Sequence, residues 1–363
     1  MNGLYVLAAG GTGGHMVPAH VLALELQARG AAVHLITDER GLRFPGLFEG
    51  VPRTVVDSGS PGRSGWRSLP AVAIRIARGR SAARALLREL RPAAVIGFGG
   101  YPALPGLLAA LSLRVPTLIH EQNAVLGRVN RFLAPRVTRI VTSYSRVRRL
   151  DDRWAIKTVL TGNPVRADVV AARSAAFDAY APVLQLLVTG GSQGASILNS
   201  VVPAAVALLS QPLRDRLRVV HQGRDEDAAQ VRDTYAAAGV GAEVRAYFTD
   251  LPEQIAAAHI IIARAGASTV AELAVAGRPA LLVPLPIATD DHQTANAQAL
   301  AATGGAVVLP QPQFTAEALA AALTAWLGDP TALATAAAGA RSVGVPDAAA
   351  RLADLVITTG QRP

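Results

Sequence analysis

Residues 2–37 read NGLYVLAAGGTGGHMVPAHVLALELQARGAAVHLIT and contain one complete strand–helix–strand unit. The apolar run Asn2–Ala9 predicts a buried strand, and the glycines of Gly10–His15 predict a loop. Val17–Arg29 predicts a helix, which the glycine after it ends as a C-terminal cap. Ala31–Thr37 predicts the next strand. The chain therefore opens with a βαβ unit, the building block of parallel sheets.

The same order of elements recurs in the second half of the chain. Val183–Thr189 predicts an apolar strand, Gly190–Gly194 a loop, Ala195–Leu209 a helix and Leu217–His221 the next strand. The sequence therefore predicts an α/β protein in which each half begins its own parallel sheet. Further strands are predicted at Ala93–Phe98, Thr117–His120, Ile140–Thr142, His259–Ala263 and Ala280–Pro284.

Length and composition favour two packed domains. The chain has 363 residues, which suits two domains better than one. A turn-forming triplet at Gly162–Pro164 predicts the boundary, and a second break is predicted at Ser342–Pro346 before a final helix at Ala348–Val356. Cysteine is absent, which excludes a disulfide framework, a thiol nucleophile and a cysteine-ligated metal. The apolar stretch Pro102–Leu113 contains two prolines and is too short to span a bilayer, and the apolar N-terminus is interpreted as a first strand and not as a signal peptide.

The charge is distributed unevenly between the two halves. Residues 1–165 carry 22 Lys and Arg against 9 Asp and Glu, whereas residues 166–363 carry 13 against 17. The basic half indicates an anionic partner, which can be nucleic acid, a phospholipid surface or a phosphorylated substrate. A simple arginine-rich composition remains the alternative. Because aromatic residues make up only 4% of the chain, single-stranded RNA is disfavoured and we expect no nucleic-acid partner.

The first glycine loop indicates a site for an anion. Glycines between a strand and a helix let the backbone approach a phosphate or a developing oxyanion, and the helix N-terminus supplies unpaired N–H groups. The spacing departs from the dinucleotide fingerprint because Met16 stands where a third glycine is required. Asp38 ends the second predicted strand, where a ribose-binding acid would lie, so a nicotinamide enzyme remains an alternative, as does a tight structural turn. His15, at the start of the helix, is a candidate general base.

Four further segments carry candidate ligand-binding residues. His120–Asn123 (HEQN) follows a predicted strand, at the end of a sheet where α/β proteins bind ligands. Ser192 lies in the second glycine loop, where hydroxyl and N–H groups can bind a diphosphate. Arg166 could add a positive charge beside that diphosphate. In the run Arg264–Glu272, Ser268 or Thr269 is expected to cap a helix, and Glu272 either binds a ribose or completes a capping box. A loop with Asp290, Asp291, His292 and Gln293 indicates recognition of sugar hydroxyls or a solvated surface.

Metal binding is not expected. Asp225-Glu226-Asp227 has the form of the acidic motif that binds Mn²⁺ in some sugar transferases. Here we expect these acids to open a helix after Gly223-Arg224, where negative charge favours the helix dipole. Nothing else has the spacing of metal ligands.

Together these segments resemble the MurG family of glycosyltransferases. The shared motifs are GGTGGH at Gly10–His15, GFGGY at Gly97–Tyr101, HEQN at His120–Asn123, GNPVR at Gly162–Arg166, GGSQGA at Gly190–Ala195, the run Arg264–Glu272 and the loop with His292-Gln293. Each motif alone is weakly specific, but the ordered set covers nearly the whole chain and is highly specific.

The resemblance implies a GT-B fold, with two Rossmann-like parallel-sheet domains facing across a cleft. It implies an acceptor- and membrane-facing domain over residues 1–164 with the C-terminal helix 345–363, and a UDP-sugar donor domain over residues 165–344. It implies UDP-N-acetylglucosamine (UDP-GlcNAc) as donor and lipid I, undecaprenyl-pyrophosphoryl-MurNAc-pentapeptide, as acceptor. No cofactor is expected. A GT-B transferase that acts on another glycolipid or a secondary metabolite remains an alternative.

The resemblance also assigns roles to residues. The positions that match donor contacts are Thr12, Gly13, Gly14, Asn123, Arg166, Ser192, Ala267, Ser268, Thr269, Val270, Ala271, Glu272 and Gln293. Thr249 matches a position whose backbone contacts uracil; the family often has isoleucine there, which puts side-chain packing in doubt but not the backbone contact. His15 matches the proposed base and Glu121 a possible helper. The implied reaction inverts the anomeric carbon as the acceptor 4-hydroxyl displaces UDP.

The segment Trp66–Arg84 mixes apolar and basic side chains and predicts a surface for an anionic membrane. Its members are Trp66, Leu69, Val72, Ile74 and Ile76 with Arg67, Arg75, Arg78, Arg80 and Arg84. We expect peripheral attachment to the cytoplasmic face of the cell membrane. The alternative is that Ile74 and Ile76 belong to the core and that the arginines are merely solvated.

Overall fold

The computed structural model describes residues 3–44, 46–59, 69–191, 195–224 and 226–361. The chain divides into two compact units, the first made of Met1–Arg166 with Pro346–Pro363 and the second of Ala167–Val345. Each unit is built around one parallel sheet. The two-sheet α/β prediction is confirmed.

The first unit contains a sheet of seven parallel strands. They are β1 Leu4–Ala8, β2 Ala32–Thr37, β3 Arg53–Val55, β4 Ala94–Gly97, β5 Thr117–Glu121, β6 Arg139–Thr142 and β7 Thr158–Leu160, in the order β3-β2-β1-β4-β5-β6-β7. Its helices are α1 Gly13–Ala28, α2 Leu69–Leu90, α3 Gly100–Ser112, α4 Arg128–Leu133 and, from the far end of the chain, α14 Ala348–Gly360.

Burial on both faces explains why the central strands read as continuous apolar runs. Along β1, Tyr5 and Leu7 face one core cluster and Val6 and Ala8 face the other. Helices cover both faces of such a sheet, so neither face needs polar residues. The C-terminal α14 belongs to this packing because Leu352 and the apolar residues one turn on join the same core as Leu7.

The second unit contains a sheet of six parallel strands. They are β8 Leu184–Thr189, β9 Leu217–Gln222, β10 Gly241–Arg245, β11 Ile260–Ala263, β12 Ala280–Leu282 and β13 Ala306–Val308, in the order β10-β9-β8-β11-β12-β13. Its helices are α5 Ala167–Ala172, α6 Ser196–Ala207, α7 Gln211–Asp215, α8 Ala228–Ala237, α9 Leu251–Ala257, α10 Ala267–Ala276, α11 His292–Ala301, α12 Ala316–Leu327 and α13 Pro330–Ser342.

Both sheets have a point where the strand order reverses. In the first it lies between β1 and β4, and in the second between β8 and β11. Loops leave these neighbouring strands in opposite directions and open a crevice at their carboxyl ends, where α/β proteins bind ligands. Within the described residues, no helix is both long enough and apolar enough to cross a bilayer.

Candidate active site

The first glycine motif lies at the strand-order reversal of the first sheet. The structure corrects its predicted boundary, because α1 begins at Gly13 and not at Val17. Thr12 is the N-cap in extended conformation, and Gly13, Gly14 and His15 form the first turn. N–H groups of a first helical turn have no carbonyl partner within the helix and point toward a ligand. His15 is therefore fixed on a helix instead of closing a loop.

A second pair of glycines lies against the imidazole of His15. Gly99 and Gly100 connect β4 to α3 with φ of 83° and 70°, a conformation that residues with side chains rarely adopt. A Cβ atom on Gly100 would lie 3.3 Å from His15 Nε2, and one on Gly99 would lie 3.5 Å from Cε1. Glycine at these two positions of the GFGGY motif thus leaves room beside the imidazole that a side chain there would fill.

Gln122 connects the side chains of two histidines. Its Oε1 lies 3.1 Å from Nδ1 of His15, and its Nε2 lies 2.9 Å from Nδ1 of His120. The same Nε2 donates to the backbone carbonyl of His120 at 3.1 Å. On the far side, Nε2 of His120 lies 3.2 Å from the carbonyl oxygen of Gly162. A continuous row of hydrogen bonds therefore runs from the end of β7 to the first turn of α1.

His120 is completely buried in this row. Burial lowers the pKa of His120 from 6.5 to about 4, because desolvation disfavours the imidazolium; the positive field of His15 acts in the same direction, and the hydrogen bond to Gly162 opposes it. His120 is therefore neutral near pH 7. Its role in the row is to accept at one ring nitrogen and donate at the other.

Glu121 has a different environment from the one expected of a catalytic helper. Its side chain is only 2% exposed. Its Oε1 accepts from the backbone and side-chain amides of Asn123 at 3.1 Å, and its Oε2 accepts from Gly127 N at 2.9 Å and Asn130 Nδ2 at 2.8 Å. Four donors hold this carboxylate, so the geometry favours Glu121 as the residue that shapes the HEQN loop and orients Asn123.

The carboxylate of Asp38 accepts hydrogen bonds from its own unit in place of a ribose. Its carboxylate accepts from Gly41 N at 3.1 Å, Arg40 Nε at 2.7 Å and Ser58 Oγ at 3.2 Å. It also lies against the first glycine loop, since a Cβ on Gly10 would come within 2.7 Å of its Oδ1. Asp38 therefore ties β2 to the loops beside it.

In the second unit, the N-terminus of α10 follows β11 at the strand-order reversal. The expected cap is wrong: the N-cap is Gly266, with no side-chain cap, and neither Ser268 nor Thr269 occupies that position. Glu272 is then the sixth helical residue, too far along for a capping box, which needs the third. The buried Oγ of Ser268 has no hydrogen-bond partner among the described residues. A buried unsatisfied hydroxyl costs stability unless a ligand satisfies it, which makes this helix start a candidate binding site.

The other members of the Arg264–Glu272 run and the loop after β12 pack around this helix start. The guanidinium of Arg264 donates to the carbonyls of Val283 and Pro284 at 3.1 and 3.3 Å, and burial lowers its pKa. Gln293, in the first turn of α11, accepts from Leu285 N at 3.0 Å. Arg264 thus fixes the chain after β12, and Gln293 holds the loop that follows.

Two aspartates before α11 are strained. Asp290 and Asp291 have φ of 57° and 54°, a left-handed pair that costs energy in residues with side chains. His292 Nδ1 lies 2.7 Å from the carbonyl oxygen of Thr289 and helps hold this turn. Strain of this kind clusters at ligand sites, which makes this loop a candidate binding segment.

The remaining predicted residues are placed as follows. Ala267 and Val270 are buried in α10, and Thr269 and Ala271 are half-buried there. Arg166 is half-buried at the end of the first unit. Thr249 is exposed in a short loop that is pinned by its neighbours: Phe248 is buried under the guanidinium of Arg245, and Arg245 pairs with Asp250 at 2.8 Å. Ser192 lies outside the described residues.

The acidic motif of the second unit is at a helix start. Asp225 lies outside the described residues, and Asp227 is the N-cap position of α8 and accepts from Asn199 Nδ2 at 2.8 Å. In the part of the chain that the structure describes, no group of three or more His, Cys, Asp or Glu side chains could hold a metal ion.

Sequence reasoning missed the role of Gln122. It predicts that HEQN follows a strand and faces a ligand crevice, and it gives roles to Glu121 and Asn123 only. No signal in the sequence indicates this role, because Gln122 acts through His15, which lies 107 residues away in the chain.

Two family models match the chain. The glycosyltransferase family 28 N-terminal domain matches residues 5–142, and the glycosyltransferase family 28 C-terminal domain matches residues 185–352. Each model falls on one of the two sheets, and together they cover most of the chain.

Full-length relatives carry one and the same name. Proteins from Rhodospirillum centenum and Zymomonas mobilis are named UDP-N-acetylglucosamine--N-acetylmuramyl-(pentapeptide) pyrophosphoryl-undecaprenol N-acetylglucosamine transferase. The first is 54% identical over 97% of this chain and 93% of that protein. The second is 50% identical over 99% of this chain and 94% of that protein.

A solved structure agrees with these relatives. The crystal structure of Acinetobacter baumannii MurG superposes with a TM-score of 0.81 at 32% identity, over 98% of this chain and 99% of that one. Two parallel-sheet Rossmann-like domains, the matched domain models and the shared sequence lead to one conclusion. The chain belongs to the MurG family of glycosyltransferase family 28 and has the GT-B fold.

Proposed function

We propose that this protein transfers N-acetylglucosamine from UDP-GlcNAc to the 4-hydroxyl of MurNAc in lipid I, and so makes lipid II for peptidoglycan. The observation that carries the proposal is identity of about half, over nearly the whole chain, with proteins named for this transfer.

The second unit is the donor domain in this proposal. Three features of the unit support the assignment: the N-terminus of α10 with the buried hydroxyl of Ser268, the buried Glu272 further along the helix, and the strained loop before Gln293. A helix N-terminus suits the diphosphate, a carboxylate suits the two ribose hydroxyls, and an amide suits the hydroxyls of the sugar. The backbone near Thr249 is assigned to uracil.

The first unit is the acceptor domain and supplies the base. His15 Nε2 takes the proton of the acceptor 4-hydroxyl as the oxygen attacks the anomeric carbon. A new carbon–oxygen bond forms on one face of the sugar while the bond to the UDP oxygen breaks on the other. The product is a β-glycoside, and the electron pair of the broken bond leaves with UDP.

The departing diphosphate gains negative charge in the transition state. Arg166, Ser192 and the first-turn N–H groups of α10 are assigned to stabilise it, and the residues Thr12, Gly13 and Gly14 supply backbone donors at the other glycine loop. Asn123, oriented by Glu121, is assigned to a sugar hydroxyl or amide.

A donor panel tests the proposal. The full chain is assayed with a water-soluble, short-chain lipid I analogue and equal concentrations of UDP-GlcNAc, UDP-N-acetylgalactosamine, UDP-glucose and a thymidine diphosphate sugar. Turnover with UDP-GlcNAc at least tenfold above the others supports it, since each discriminating contact contributes about 1–3 kcal/mol. Equal or higher turnover with another donor contradicts it.

Attachment to the cytoplasmic face of the cell membrane is a separate part of the proposal. The apolar side chains of helix α2 divide between the core and the surface. Val72 is buried and Ile76 packs on the core, whereas Ile74 is 54% exposed. Phe132 on α4, which sequence reasoning missed, is 51% exposed and stacks under the guanidinium of Arg136. Trp66 and Arg67 lie outside the described residues, and the side chain of Leu69 is not described. Exposed apolar and basic residues on helices of the same unit support peripheral binding to anionic lipid.

Vesicle co-sedimentation tests the membrane part. Binding should rise with the fraction of anionic lipid and fall with salt. Changing Arg78 and Arg80 to glutamine should weaken it by about 1 kcal/mol per charge. The matched control changes Arg224 and Arg232, exposed arginines of the second unit, in the same way. Equal weakening by both pairs, or binding that ignores salt and lipid charge, contradicts this assignment.

A further inference from the structure

The row of hydrogen bonds around Gln122 determines which nitrogen of His15 carries the proton. The amide group of Gln122 has one orientation that satisfies its neighbours, because the carbonyl oxygen of His120 can only accept and therefore faces Nε2 of Gln122. The oxygen of the amide then faces Nδ1 of His15 at 3.1 Å. Because that oxygen can only accept, Nδ1 of His15 must donate and must carry the proton.

His120 holds the amide in this orientation. Its Nδ1 accepts from Nε2 of Gln122 at 2.9 Å, so its proton is on Nε2, which donates to the Gly162 carbonyl at 3.2 Å. Every group in the row thus has one consistent role. The carboxylate of Glu121, next to His120 and Gln122 in the chain, accepts from Asn123, Gly127 and Asn130.

We infer that Gln122 is a positioning residue that holds neutral His15 as its Nδ1–H tautomer and leaves Nε2 as the proton acceptor. This inference rests on the proposed role of His15 as the base. The opposite tautomer would put a proton on Nε2 and could not accept one from a hydroxyl. Gly100 completes the arrangement, because a Cβ atom there would lie 3.3 Å from that nitrogen.

Nitrogen-15 NMR of histidine-labelled protein reads the tautomer directly. Wild type should show His15 with Nδ1 protonated at neutral pH, and Gln122→Leu should lose this preference. Turnover of Gln122→Leu should fall roughly ten- to hundredfold, the range for loss of one hydrogen bond to a group that becomes charged, with UDP binding unchanged. A Gln122→Leu protein that keeps both the tautomer and the turnover overturns the inference.

A double-mutant comparison separates positioning from simple structural damage. In a His15→Ala background, Gln122→Leu should have little further effect on turnover, because the nitrogen that it orients is gone. Gln122→Glu keeps an acceptor for Nδ1 and should recover part of the activity, with the acid limb of the kcat profile moved to higher pH by the added carboxylate. Equal losses from Gln122→Leu in both backgrounds would show a structural role only.

A cavity of about 550 Å³ beside the first glycine loop supports a second inference. It lies at the carboxyl ends of β2 and β3 and is lined by Asp38, Glu39, Arg40, Val55, Val56, Asp57, Ser58 and Arg75. Arg40 adjoins the loop itself, since a Cβ on Gly11 would lie 3.8 Å from its Nη2. The cavity is therefore next to the loop that leads into His15.

The walls of the cavity are preformed. Asp38 is held by three donors, and Arg75 on α2 pairs with Asp57 through Nε at 2.6 Å. One turn after Arg75, Gly79 lies so close to the Asp57 carbonyl that a Cβ there would collide with it. This contact holds α2 against the end of β3.

The charges of the walls select the class of ligand. Among the described residues, two guanidinium groups and three carboxylates line the cavity, so a diphosphate would face more negative charge than positive there. A short peptide with free carboxylates and an amine meets both signs, and Val55, 44% exposed, offers apolar contact. In muramic acid the peptide is attached through the lactyl ether at carbon 3, next to the reacting 4-hydroxyl.

We propose that this cavity binds the peptide of the acceptor, an inference that rests on the proposed function. The test compares a soluble muramyl-pyrophosphoryl acceptor with its pentapeptide and without it, in detergent so that membrane charge plays no part. Wild type should prefer the pentapeptide acceptor. The variant Glu39→Gln/Arg75→Gln leaves the net charge unchanged. Its kcat/KM for the pentapeptide acceptor should fall about three- to tenfold, because ion pairs between these side chains and the peptide would be partly exposed. Its kcat/KM for the acceptor without the peptide should not change.

The control variant Arg232→Gln changes an exposed arginine of the second unit that does not line the cavity and should match wild type. Equal kcat/KM of wild type for the two acceptors, or equal losses of the cavity variant on both, overturns the peptide assignment. Absence of all N-acetylglucosamine transfer by wild type instead contradicts the proposed function.

Discussion

Glu272 and Gln293 can be separated by what they bind. Glu272 is buried within α10, whereas Gln293 lies in the first turn of α11 beside the strained loop. Glu272→Ala should therefore weaken UDP itself by about 1.5–3 kcal/mol, the value of a hydrogen bond to a charged group. Gln293→Ala should spare UDP and weaken only UDP-GlcNAc. Calorimetric titration with both ligands checks this, and an equal loss of UDP binding in the two variants contradicts the assignment.

His15 should affect chemistry and not donor binding. His15→Ala is expected to lower turnover by roughly two to four powers of ten, the usual contribution of a positioned base. The dissociation constant of UDP-GlcNAc should stay within a factor of a few. If turnover changes only severalfold, His15 is a structural residue of the first turn of α1.

At the residue scale, the sequence predicts where the candidate site residues lie better than it predicts their hydrogen-bond partners. The glycine motifs and HEQN indicate where ligands bind, because side chains that follow buried parallel strands meet at one edge of a sheet. Which donor reaches which acceptor depends on distant contacts, such as His120 with the carbonyl of Gly162. The return of Gln122 to His120, which orients His15, depends on such contacts and could not be read from the sequence.

At the element scale, the apolar strands in the middle of both sheets were predicted correctly, whereas short edge strands and the helices α3 and α12 were missed. β1, β8 and β11 are buried on both faces, so their composition alone identifies them. β3 and β7 have three residues each and lie at the edges of the first sheet. An edge strand pairs with one neighbour only and is less buried, so its sequence lacks the apolar run that identifies a central strand. The start of α10 was misplaced because Ser268 and Thr269 are good caps, while Gly266 offers no side chain to signal its role.

Helix α14 gives a prediction at this scale. Leu352 is fully buried in the core of the first unit, so Leu352→Ala should lower the stability of that unit by about 2–5 kcal/mol. Hydrogen exchange should accelerate in α1 and α14 and stay unchanged in the second unit. The control Asp354→Asn removes an exposed pair with Arg29 and should cost less than about 1 kcal/mol. Faster exchange in α10 after Leu352→Ala would contradict the assignment of α14 to the first unit.

At the scale of the whole molecule, each unit contains one fully buried histidine. Burial lowers the pKa of His120 in the first unit and of His221 in the second, each to about 4. His221 is held neutral between Tyr235 and Asn199 at 2.9 and 3.1 Å. Between pH 6.5 and 4 the unfolded chain therefore binds protons that the folded chain does not.

Both units should lose stability in mild acid. The free energy of unfolding should fall by about 1.4 kcal/mol per pH unit for each histidine as the pH drops below 6.5. Urea unfolding of wild type and His221→Gln is monitored by hydrogen exchange at pH 7.5 and 5.5. It gives, for each unit, the change in the free energy of unfolding per pH unit. The variant should flatten the slope of the second unit only. An unchanged slope there contradicts the burial argument.

The two-domain architecture follows from repeated βαβ units, whereas the chemistry follows from family motifs placed at the strand-order reversals of the two sheets. The measurement that tests the proposed transfer most directly is the structure of the product. The full chain is incubated with UDP-GlcNAc labelled with carbon-13 in the sugar and a short-chain lipid I analogue, and the product is analysed by mass spectrometry and NMR. We predict one added N-acetylhexosamine, joined in β configuration to carbon 4 of MurNAc. An α linkage, attachment at another hydroxyl, or label released only as free sugar would contradict the proposed reaction.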